Sequence, residues 1–142
     1  MEHPIEFFAE DIEFELKSSE KVAAWIADII EQHKWELSAL TYVFCSDEYL
    51  HQINIEYLDH DTLTDIITFD NADEEGVIEG DIFISIDRVR DNAIDHNTSF
   101  DDELHRVLIH GVLHLLGFKD KSPEQEAAMR KQEESCLSLR KF

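Results

Sequence analysis

The chain has 142 residues, 43% of them hydrophobic, with 4 Gly and 2 Pro, which suits one folded domain over residues 1–142 and not a disordered chain. Its formal net charge of −21 argues against avid sequence-independent binding to polyanions, and its longest apolar runs are far too short to span a bilayer. The N-terminal stretch MEHPIEFFAEDIEF is acidic where a signal peptide would be basic and then apolar, and Cys45 and Cys136 form no CxxC pair; both features fit a reduced, cytoplasmic protein.

Taken in order, residues 4–16 contain short alternating apolar runs and predict an edge strand or two. Ser19 then reads as the N-cap of a helix whose Val22, Trp25, Ile26, Ile29 and Ile30 fall on one face. ALTYVFC, 39–45, alternates as a strand, and Ser46 and Asp47 can cap a second helix with Leu50, Ile53 and Tyr57 facing inward. LTDIITFD, 63–70, is β-branched and aromatic and predicts a strand. NADEEGVIEG is an acidic loop turning at Gly76. DIFISI, 81–86, predicts a strand with Ile82, Ile84 and Ile86 on one side and Phe83 and Ser85 on the other.

The remainder is helical. A short polar helix runs from Asp87 to about Asn97. A longer one, capped by Ser99, runs through Leu116 with Leu104, Val107, Leu108, Gly111 and Leu115 inward. Ser122-Pro123-Glu124 opens a last helix, partly apolar at Ala127, Met129 and Cys136. No repeat, low-complexity tract or linker interrupts the chain. The fold class predicted is α+β: one mixed sheet of about four strands covered by helices.

The chemistry concentrates in HGVLHLLGFKD, 110–120. Residues four apart on a helix share a face, so His110 and His114 can aim their imidazoles at one ion. The pair alone fits a hydrogen-bonded buried helix equally well. What tips the reading to metal is Gly117, suited to ending the helix, and Asp120 beyond it, at the right reach to close a triad. Three protein ligands with a fourth position left to water describe a catalytic zinc, which brings the pKa of that water to roughly 7. Zinc peptidases carry a glutamate directly after the first histidine as general base. Gly111 stands there instead, so the peptidase reading loses its base, and Gly111 reads as a close helix–sheet contact.

These residues resemble a known family. HGVLHLLGF is similar to the HGxLHLxGxDH motif of the YbeY endoribonucleases, metalloproteins of ribosomal RNA maturation. INIEYLDHDTLTDIITF (53–69) and EGDIFISIDRVRDNA (79–93) are similar to two further blocks of that family, and ELHRVLIHGVLHLLG and MRKQEE also fit. The resemblance covers most of residues 53–134. It implies one zinc ion per chain, a cytoplasmic location, and cleavage of single-stranded RNA in the processing and quality control of ribosomal RNA. The partner implied is ribosomal RNA or a ribosomal subunit, with no membrane association and no DNA specificity.

Carried over residue by residue, His110 and His114 are the first two ligands. The family's third ligand, a histidine, falls at Asp120, with Lys119 where the family has aspartate. Slipping by one residue would put Lys121 at the ligand position, and an ammonium has no free lone pair, so the expected set is His110, His114 and Asp120. The family's arginine after the aromatic of its first block falls at Leu58, which cannot pair with phosphate. His60 and Leu63 replace lysine-type and proline residues, while Thr64 and Asp65 are kept in type. Arg88, Arg90 and Lys121 are therefore the expected phosphate contacts, and Thr64 and Ser85 are candidate hydrogen-bond donors behind the site. Residues 119–142 support this placement, with six basic against five acidic side chains in an otherwise acidic chain. Two other functions stay open: a metal hydrolase on another substrate, and a metal-stabilised ribosome-assembly factor with little turnover.

Overall fold

The computed structural model describes residues 4–59 and 64–142. Four strands, β1 (Ile5–Ala9), β2 (Glu36–Cys45), β3 (Ile66–Asp70) and β4 (Val77–Ser85), form one sheet in the order β1-β2-β4-β3. β1 and β4 both pair in parallel with β2, and β3 closes the edge antiparallel to β4. Five helices accompany the sheet: α1 (Ser19–Gln32), α2 (Asp47–Leu58), α3 (Ile86–Asp95), α4 (Phe100–Leu115) and α5 (Pro123–Ser138). The mixed four-stranded α+β architecture is the one expected.

Period-two alternation divides the sheet into two faces. Leu40, Tyr42 and Phe44 of β2 and Ile78, Ile82 and Ile84 of β4 point to one side and pack with α1 and α4 in the main core. Cys45, Ile67, Phe69 and Phe83 point to the other and pack under Leu50 of α2. Because α4 is covered on one side by the sheet and flanked by α3 and α5, most of it from Glu103 to Leu115 is buried, with Arg106, His110 and His114 left part-exposed along one stripe. Its C-terminal end nonetheless reaches the surface, and the chemistry is there.

Several local expectations are corrected. Ser19 is the first residue of α1; the cap position belongs to Ser18, in the left-handed region (φ 54°), and its carbonyl, not a side chain, takes the Val22 N–H. Among the described residues a single strand forms before α1, within the one or two expected. β4 begins at Val77 because β2 extends back to Glu36, and the registers Glu36↔Val77 and Leu37↔Ile78 draw VIEG into the sheet. Tyr57 is not inward: it is 68% exposed, its ring edge-on to Phe69, and the buried positions on that helix are Leu50 and Asn54. Ile86 opens α3 rather than ending the strand, and Ala127 faces water.

Candidate metal centre

α4 is started by Ser99, whose hydroxyl accepts from the Asp102 N–H, with Asp101, Asp102 and Glu103 in the first turn where the helix dipole favours negative charge. It is stopped at Gly117. There φ is +103°, the Gly117 N–H returns to the His114 carbonyl (3.0 Å) and the Phe118 N–H to the Leu113 carbonyl (3.0 Å). This is a Schellman turn, and it reverses the chain. Residues 118–121 run back along the helix end until Ser122 caps α5, its hydroxyl and the Gln125 side chain forming a capping box.

The reversal brings Asp120 to the two histidines. His114 Nε2 lies 3.0 Å from His110 Nε2, and Asp120 Oδ2 lies 3.4 Å from the first imidazole and 3.3 Å from the second. The rings stand nearly perpendicular, at 79°. These three donor atoms form the one such His/Cys/Asp/Glu grouping found among the described residues. Four ligands placed tetrahedrally at about 2.0–2.1 Å from zinc are separated from one another by about 3.3 Å. The donors are therefore of the right kind and at the right mutual spacing for such an ion. All three side chains are part-exposed, so a substrate can reach them.

Behind His110 lies Glu133 of α5. Its Oε2 accepts from His110 Nδ1 at 2.6 Å, and its Oε1 from Arg106 Nη1 at 3.0 Å. Burial alone would pull the His110 imidazole down, but the hydrogen bond and charge of Glu133, with Asp120 and Asp65 beyond, raise it above its ordinary value. Burial likewise pushes the Glu133 carboxyl up, and His110 and Arg106 outweigh that and bring it below the ordinary range. Asp65 is raised, chiefly by burial, with the nearby His110 opposing.

The other residues singled out in the sequence make contacts of their own. Ser85 is fully buried, donates a hydrogen bond to Asp47 Oδ1 (2.6 Å) and accepts one from the Arg88 N–H as the N-cap of α3. Thr64 donates to the nearby Ile66 carbonyl (3.2 Å). Arg88 is engaged by Asp47 and Asp91, and Arg90 lies over the Phe100 ring at 5.7 Å. Lys121 is exposed and directly follows Asp120. Leu58 ends α2 with 43% of its surface exposed, while His60 and Leu63 fall outside the described residues. Gly111 faces the sheet: a Cβ there would sit 2.9 Å from Ile82 Cδ1 and 3.0 Å from Ile66 Cδ1, so no glutamate fits without displacing both.

Glu133 and Arg106 were missed by sequence reasoning. The signal was present: Met129, Glu133 and Cys136 share the buried face of α5, and an acid on a buried face needs a partner.

Residues 5–140 match the family model described as Endoribonuclease YbeY. This chain belongs to the YbeY endoribonuclease family. It is 52% identical over 141 residues to the Endoribonuclease YbeY of Cytophaga hutchinsonii, covering 99% of each chain. To the YbeY endoribonuclease of Amoebophilus asiaticus it is 48% identical, over 91% of this chain and 88% of that one. The fold is similar to the solution structure of a Thermotoga maritima protein, with a TM-score of 0.63 and 26% identity, over 94% of this chain and 89% of that one. Family membership thus covers the first fifty residues as well, beyond the residues 53–134 that carry the resemblance in the sequence.

Proposed function

We propose that this chain is a zinc-dependent endoribonuclease that cuts single-stranded RNA in the maturation and quality control of ribosomal RNA. Its place of work is the cytoplasm and its partner ribosomal RNA or the ribosomal subunit. Among the described residues no helix is long and apolar enough to cross a membrane. The observation that carries the reading is the convergence of His110 Nε2, His114 Nε2 and Asp120 Oδ2 at the accessible end of α4. Two imidazole nitrogens and a carboxylate oxygen suit zinc.

When bound, the ion supplies Lewis acidity toward a phosphoryl oxygen and lowers the pKa of water. The chain's own residues set the stage for it. The Schellman turn at Gly117 delivers Asp120, and the Gly111 contact seats α4 on the sheet. Lys121, next to Asp120, is the phosphate contact we favour. Arg88 and Arg90 are already engaged by carboxylates and by Phe100. Attack by water and attack by the ribose 2′-hydroxyl leave different ends, so a 2′,3′-cyclic phosphate on the product would exclude direct water attack.

A second reading, a metal-stabilised assembly factor with little turnover, is favoured by Leu58 at the family's arginine position and by the −21 charge. Zinc-loaded protein assayed on single-stranded RNA, with His114→Ala as control, separates the two. The first reading expects cleavage by the wild type and loss in a folded variant. Equal residual cleavage by both would mark a contaminating nuclease and leave the assembly role.

A further inference from the structure

We infer that Glu133 is the positioning residue of this centre: its carboxylate fixes the His110 ring with the proton on Nδ1, so that the lone pair of Nε2 faces the ion. The inference rests on the metal reading given above.

The geometry is specific. An imidazole offers two nitrogens, and a neutral ring carries its proton on only one of them. On His110, Nε2 faces the other two donors, while Nδ1 lies 2.6 Å from Glu133 Oε2. A carboxylate at that distance can only accept, so Nδ1 must be the donor and Nε2 is left free in the neutral ring. Glu133 is itself held. Its side chain is 8% exposed, and its second oxygen takes the Arg106 guanidinium, one turn before His110 on the same face of α4. One carboxylate from α5 thus spans two successive positions of α4.

An interhelical bracket alone would need only the Arg106 contact. The division of the carboxylate, one oxygen to each partner, orients the ring as well. A carboxylate behind a ligating histidine also raises the donor strength of the ligating nitrogen, and losing such a partner typically weakens metal binding about 10–100-fold.

The experiment is a competition titration of Zn2+ and Co2+ against a chromophoric chelator. It uses the wild type, Glu133→Ala, Glu133→Gln and Arg106→Ala, each checked for fold by circular dichroism without metal. Glu133→Ala is expected to bind about 10–100-fold more weakly. Glu133→Gln keeps an acceptor for Nδ1 but no charge and falls between. Arg106→Ala keeps the carboxylate on His110 and loses least. In the metal-free wild type, above the histidine titration, 15N NMR is expected to show the His110 proton on Nδ1. Folded Glu133 variants with wild-type affinity overturn the inference, and so does a proton found on Nε2. Equal weakening by Arg106→Ala and Glu133→Ala overturns it too, since that marks a bracket only. Should Glu133→Ala not fold, the Gln variant and the NMR tautomer decide. A wild type that binds neither ion removes the metal reading itself and this inference with it.

Discussion

Gly111 of α4 lies so close over Ile82 of β4 that a methyl group on it would sit 2.9 Å from Ile82 Cδ1. The contact sets the height of α4 above the sheet, and with it the position of His110 and His114 at the helix end. Overpacking of about 1–3 kcal/mol, offset by the roughly 1 kcal/mol that alanine gains over glycine inside a helix, leaves an expected net cost of about 0–2 kcal/mol for Gly111→Ala, read from urea unfolding. Gly111→Glu should cost more, because it also buries a carboxylate, and it should not create peptide hydrolysis. An alanine variant more stable than the wild type would show that the sheet can yield at this point.

Gly117 carries the turn that delivers Asp120. At φ +103° an L side chain is strained, so Gly117→Ala should lose about 1–2 kcal/mol of stability. It should also weaken zinc binding, because Asp120 no longer returns to the imidazoles. Unchanged zinc affinity would mean that residues 118–121 find their place without the turn.

Protonation of the His110–Glu133 pair links stability to pH in the metal-free protein. His110 is raised, so its contribution is complete below its ordinary 6.5 and is lost as pH rises through the folded value. Glu133 is depressed, so its contribution is complete above its ordinary 4.5 and is lost as pH falls through the folded value. The pair therefore stabilises most between about pH 4.5 and 6.5. Denaturation with chelator present should show Glu133→Gln costing about 1.5–3 kcal/mol near pH 5.5 and less at pH 8.5. A penalty independent of pH would show that the charge on His110 is not involved, leaving only the Arg106 ion pair, which does not titrate in this range.

The thiols are expected to be silent. Burial first, then the carboxylates of Asp11, Asp47 and Asp87, pushes Cys45 up to about 12, and burial and then Glu133 push Cys136 to about 11. Neither should be alkylated by iodoacetamide in the native protein at neutral pH, and both should react in urea, as mass spectrometry would read. Modification of the native chain would show that one of these sites opens.

The legible part of this molecule was its local periodicity. Val22 to Ile30 marked α1, the isoleucines of β4 marked its inward face, and His110, His114, Gly117 and Asp120 lie within eleven residues, so their meeting needs one helix and one turn. What stayed hidden depends on pairing at a distance. The early start of β4 is imposed by β2 across the sheet, the exposure of Tyr57 by how α2 sits on β3 and β4, and the role of Glu133 by the docking of α5 on α4. Ser85 shows the same effect. As a strand-end hydroxyl it reads as available, but it donates its hydrogen bond to Asp47, 38 residues away.

The most direct measurement of the central claim is the metal content of the purified chain and of His110→Ala, His114→Ala and Asp120→Ala, taken by plasma mass spectrometry after zinc loading and desalting. We expect one zinc per wild-type chain and a large loss in each folded variant. A wild type that retains no divalent metal, or an Asp120→Ala protein that retains as much as the wild type, would contradict it.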